Sequence, residues 1–130
     1  MTEGPLILVV DDMVDTRRLM RRLLERGGFR VIEAATGEEG LRSIESGRPE
    51  LVVLDLRLPG MSGFDVARAV RASSDPMVAG TVLLACSASV QPEVRREALD
   101  AGCDDFEGKP FDVRLFAERV RELIAQPGRS

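Results

Sequence analysis

Five short apolar runs, separated by segments of helical periodicity, leave this chain few folds to choose from. The runs are Leu6–Val10, Arg30–Ala34, Leu51–Asp55, Thr81–Ser87 and Asp104–Glu107. The first, third and fourth are almost continuous apolar blocks, the pattern of strands covered on both faces in a parallel sheet. The second and fifth are shorter or more polar and suit edge strands. Between them, Asp15–Arg26 places Leu19, Met20, Leu23 and Leu24 on one helix face and Arg17, Arg18, Arg21 and Arg22 on the other, with Gly27-Gly28 as a stop. A second helix opens on the capping-box pattern Thr36-x-x-Glu39 and ends near Gly47-x-Pro49. A third spans about Phe64 to Ala72, and a fourth runs from Pro92 to Gly102. The fifth is expected over Asp112 to Ala125, with Val113, Phe116, Val120 and Leu123 inward. Alternating strands and helices imply right-handed crossovers and an α/β fold, a doubly wound five-stranded parallel sheet with five helices. A chain of 130 residues suits one such domain, 1–130 with a core of about 6–125.

Absences narrow the chemistry. There is no histidine, which removes Ser-His-Asp triads, His-ligated zinc and any phosphohistidine carried by the chain itself. Lys109 is the sole lysine among 18 basic residues. A lone lysine in an arginine-rich chain marks a place where a compact, flexible point charge serves better than a planar fork. The net charge of −4 argues against nonspecific binding to nucleic acid or anionic membrane. No apolar run reaches membrane-span length and no signal-peptide pattern opens the chain, so a cytoplasmic protein is expected. Cys86 and Cys103 lack metal-ligand spacing and are expected as free thiols.

Ligands of open α/β sheets gather beyond the carboxyl ends of the strands. Here those ends carry Asp11-Asp12, Asp55, Cys86-Ser87-Ala88 and Lys109-Pro110. Three carboxylates, a hydroxyl and the only ammonium thus converge on one rim. Clustered carboxylates raise one another's pKa unless a cation lies between them, and all-oxygen ligands at a shallow rim suit Mg²⁺.

With VVDD (9–12), LDLRLPGMSG (54–63), ACSA (85–88) and GKPF (108–111) in this order, each at a strand end, the chain resembles the response-regulator receiver domains from Ile7 to Leu123. The resemblance implies a flavodoxin-like sheet of order 2-1-3-4-5. It implies that Asp55 accepts a phosphoryl group, from a histidine kinase or a histidine phosphotransfer protein. Asp12, Asp55 and the backbone carbonyl of Arg57 would bind Mg²⁺, with Asp11 acting mainly through water. Ser87 and Lys109 would each engage a phosphoryl oxygen, and the small Ala88 would leave it room. Ser87 and Phe106 would form the switch, and Pro110 would follow a cis peptide bond. Such a domain assists its own phosphorylation and dephosphorylation, and is a signalling receiver with a downstream protein partner instead of a turnover enzyme.

Three positions depart from the commonest family pattern. Ser87 stands where threonine is more frequent. Phe106 has no phenol oxygen, and Arg57 carries a guanidinium expected to lie over the phosphoryl group and obstruct hydrolytic water, with faster hydrolysis through stabilised phosphoryl departure, or a side chain that simply points to solvent, as the alternatives. The arginines at 17, 18, 21, 22 and 26 are read as an ordinary solvated face, with docking of an acidic kinase or phosphotransfer helix as the alternative. A haloacid-dehalogenase phosphatase would need a second Asp two residues after its nucleophile, where Asp11 and Asp12 have Met13 and Val14. A flavodoxin-like cofactor binder would not place two acids in its phosphate loop. A phosphorylation-independent interaction module would have lost an acid, and none is missing. The start at Met1 slightly favours the expectation of a stand-alone receiver without an output domain, with a piece of a hybrid histidine kinase as the alternative.

Overall fold

The protein is described from a computed structural model, which covers residues 4–109 and 111–126. Five strands, β1 (Leu6–Val10), β2 (Arg30–Ala34), β3 (Leu51–Asp55), β4 (Val82–Ser87) and β5 (Asp105–Gly108), form one parallel sheet in the order β2-β1-β3-β4-β5. The order matches the expected one. Both strands expected at the edges lie there, and the three apolar blocks fill the middle.

Strand alternation divides the core into two apolar layers. Leu8, Val10, Val52, Leu54, Leu83 and Ala85 face α2 (Gly37–Gly47), α3 (Gly63–Arg71) and α5 (Pro92–Ala101). Ile7, Val9, Val53, Leu84 and Cys86 face α1 (Val14–Arg26) and α6 (Phe116–Ala125). Helices on both sides explain why the central strands have no polar face.

Local signals set the helix ends. The Thr36 hydroxyl accepts the Glu39 N–H at 3.1 Å, while the Glu39 carboxylate reaches back to the N–H of Ala35 at 2.7 Å. At α3 the Ser62–Asp65 pair makes a complete capping box, which the sequence reading missed. Gly102 ends α5 at φ 118°, a conformation that glycine adopts freely.

Four expectations need correction. Among the described residues there are six helices: Pro76–Ala79 forms one extra turn, α4, capped by the Asp75 side chain on the N–H of Met77. One turn is too short to show a period. The last helix starts at Phe116, because Asp112 instead accepts the N–H of Arg114 and closes a turn. Val113 is consequently 51% exposed. Leu19 is also exposed, at 40%, leaving Met20 and Leu24 as the buried residues of α1. Finally, of the arginines read as a solvated face, Arg18, Arg22 and Arg26 are exposed, while Arg17 and Arg21 are drawn inward. Both cross to β2 and grip Glu33, at 2.6 and 2.7 Å.

Both cysteines are free and buried. Burial pushes the Cys86 thiol well up and that of Cys103 up to about 11, which leaves both unreactive. Among the described residues no helix is long and apolar enough to cross a membrane.

Candidate functional site

The chain leaves β1 toward β2 on one side and returns to β3 on the other. The crevice between β1 and β3 is therefore the switch point of the sheet, where ligands bind in such folds. Asp11 and Asp12 follow β1 and Asp55 ends β3, so all three acids lie in this crevice. One carboxylate oxygen from each lies within 4.8 Å of the others. Asp11 and Asp55 are buried and Asp12 is exposed.

Asp11 is held from several directions. Its N–H donates to the carbonyl of Ala34 at 3.1 Å, and its Oδ1 accepts the N–H of Met13 at 2.9 Å. Its Oδ2 accepts from the Lys109 ammonium at 2.8 Å. Asp55 accepts the N–H of Arg57 at 3.2 Å, and Lys109 lies 3.6 Å from its Oδ1. Lys109 thus stands between two of the three acids. Its own N–H donates to the carbonyl of Ser87 at 2.8 Å, which ties the β5 end to the β4 end.

The electrostatics follow from burial. The Asp55 carboxyl is pushed up to about 6, first by burial and then by Asp11 and Asp12, against the opposing pull of Lys109 and the Arg57 N–H. Burial works against the charge of Lys109, but its hydrogen bond to Asp11 and the field of Asp55 outweigh it, and its pKa lies above the ordinary value. One ammonium facing three carboxylates leaves the crevice short of positive charge.

The Ser87 hydroxyl is buried and accepts the N–H of Ser89 at 3.1 Å, leaving its hydrogen free to donate. Phe106 is packed inward, with the Arg95 guanidinium 5.9 Å from its ring centre. Arg57 is exposed, and among the described residues its guanidinium has no ion-pair or hydrogen-bond partner. Ala88 is exposed beside Lys109, on a shallow cavity of about 370 Å³ shared with Thr16, Leu19, Phe111 and Val113. The expected cis bond at Pro110 lies outside the described residues. The sequence-derived acids and Lys109 therefore come together, while Arg57 stands at the rim and Phe106 lies buried in the sheet. Sequence reasoning missed the part played by Arg17, whose Nη1 donates to the backbone carbonyl of Asp11 at 2.8 Å.

Comparison with known proteins gives a consistent result. The family model described as "Response regulator receiver domain" matches residues 7–121. The transcriptional regulatory protein KdpE of Mycobacterium tuberculosis is 39% identical over 119 residues, covering 92% of this chain and 50% of that protein. The chain spans about half the length of the curated relatives it matches. Among solved structures, the chemotaxis response regulator CheY4 of Vibrio cholerae superposes with a TM-score of 0.85 at 27% identity, covering 92% of this chain and 98% of that one. The Francisella response regulator 1452 receiver domain gives 0.84 at 26% identity, covering 93% and 97%.

Proposed function

The chain belongs to the response-regulator receiver domain family of two-component systems, and from that premise we propose that Asp55 accepts a phosphoryl group from a phosphohistidine on a histidine kinase or histidine phosphotransfer protein, with Mg²⁺ as cofactor. The observation that carries this reading is the juxtaposition of Asp11, Asp12 and Asp55 within 4.8 Å of one another, with the chain's only lysine beside them. An all-oxygen acidic donor set, short of positive charge and with its nucleophile buried, fits a hard divalent cation. Asp12, Asp55 and the backbone carbonyl of Arg57 would hold it, with Asp11 acting through water. When bound, Mg²⁺ supplies positive charge for the phosphoryl oxygens.

The chain's own groups divide the remaining work. An Asp55 carboxylate oxygen attacks phosphorus, a P–O bond forms, the P–N bond to the donor imidazole breaks, and the departing nitrogen keeps the electron pair. Lys109, already poised between Asp11 and Asp55, pairs with one phosphoryl oxygen, and the free hydroxyl hydrogen of Ser87 donates to another. Ser87 and Phe106 then read the state of the pocket for a downstream protein partner. The receiver assists its own phosphorylation and dephosphorylation and is not a turnover enzyme. Neither nucleic acid nor membrane is a direct partner.

Incubation with a small acyl phosphate and Mg²⁺ should add one phosphoryl group, read by intact mass, and Asp55→Asn should abolish it. Labelling that survives in the variant overturns the assignment.

A further inference from the structure

Two of the three clustered acids, Asp11 and Asp12, lie on the short loop between Val10 and Val14 that joins β1 to α1. Such a loop has no strand ladder to hold it, so a few bonds decide its shape. The Asp11 N–H is held by Ala34 of β2, and the Asp11 carbonyl by Arg17 at 2.8 Å. The same guanidinium uses its Nε on Glu33 of β2 at 2.6 Å. Glu33 is fixed in turn by Arg21, at 2.7 Å, and Arg21 also binds Glu25 at 3.0 Å. The Arg17 and Glu33 side chains are only 16% and 21% exposed, so water competes weakly for these bonds.

We propose that Arg17 is a positioning residue for the acidic loop: by bridging Glu33 and the backbone carbonyl of Asp11, it holds Asp11 and Asp12 in the arrangement that receives the metal ion. This rests on the Mg²⁺ site proposed above. The planar fork is essential to the role, because two N–H groups at a fixed angle reach two acceptors at once. A lysine has the charge without that geometry. Arg21 supplies a control within the same network: it grips the same Glu33 from one turn further along α1 but makes no bond to the loop. A purely structural clamp between α1 and β2 would depend on both arginines alike.

The test is calorimetric titration of the purified chain with MgCl₂, alongside thermal melts and the NMR amide shifts of residues 11–13. Arg17→Ala should weaken Mg²⁺ about 10-fold, the lower end of the range for groups that orient metal ligands. Arg17→Lys should remain weakened, since one ammonium cannot reproduce the bridge, and it stands in should the alanine variant fail to fold. Arg21→Ala should lower the melting temperature yet keep Mg²⁺ affinity within about twofold, well short of the positioning effect. Equal weakening by the Arg17 and Arg21 variants, or full affinity in both Arg17 variants, overturns the proposal. Failure of the wild-type chain to bind Mg²⁺ overturns the metal site itself and this inference with it.

Discussion

Asp55 sits at the end of a strand in which every residue is buried, so its ionised form is the costly one unless a cation offsets it. Its carboxyl stands at about 6 in place of the ordinary 3.8. A folded-state pKa above the unfolded value fixes the sign of the pH dependence. The stability tied to the protonated carboxyl is fully present below about pH 4 and is lost as pH rises through about 6. Asp55→Asn cannot ionise and keeps the buried volume almost unchanged. In chelator at about pH 8 it should therefore be more stable than wild type by on the order of 1–3 kcal/mol in urea denaturation. The gap should close at about pH 4, where both side chains are neutral. A gap of the same size at both pH values would show that the gain has nothing to do with ionisation. The same crowding that makes this residue unfavourable in isolation is what a bound cation would relieve.

Elements differ in how openly the sequence declares them. The central strands are legible because burial on both faces leaves no room for polar residues, and Asp11, Asp12, Asp55, Ser87 and Lys109 are legible because each stands at a strand's carboxyl end. Pro76–Ala79 is not, since a single turn owes its existence to the Asp75 cap and has no periodicity. Val113 falls in phase with Phe116 and Val120, which drew the last helix four residues too far back; the turn closed by Asp112 overrides that pattern. Arg17 is hidden for a topological reason. Glu33, its partner, lies 16 residues away and becomes its neighbour only when β2 pairs with β1. One glycine shows how tightly an element constrains the site. A Cβ at Gly63, in the first turn of α3, would lie 2.3 Å from the carbonyl oxygen of Asp55 and 2.7 Å from the Cα of Leu56. Both obstacles are backbone and cannot swing aside. Gly63→Ala should cost about 1–3 kcal/mol in chemical denaturation and shift the Asp55 amide resonance. A neutral substitution with an unmoved resonance would mean that α3 rides less closely on the strand end.

Across the whole molecule, the two apolar layers support one sheet, and the polar chemistry is confined to the rim where the strands end. Packing on both faces fixes the strand ends, which in turn fix the acids; no helix carries a member of the acidic cluster. The composition adds a practical consequence. With a single lysine, the chain has one side-chain amine, and it stands inside the crevice, bonded to Asp11. Only the unprotonated amine attacks an acylating reagent, and Lys109 is held protonated above its ordinary pKa. Acylation at this one position therefore reads the occupancy of the crevice directly, without a fluorophore, a radiolabel or an engineered tag. Asp11→Asn should speed adduct formation at Lys109 severalfold, as followed by peptide mass mapping, because the ammonium loses its strongest stabilising partner. An unchanged rate would show that access to the nitrogen, and not its charge, limits the reagent. For a protein with no tryptophan or tyrosine, a lone amine at the switch point of the sheet becomes its built-in reporter.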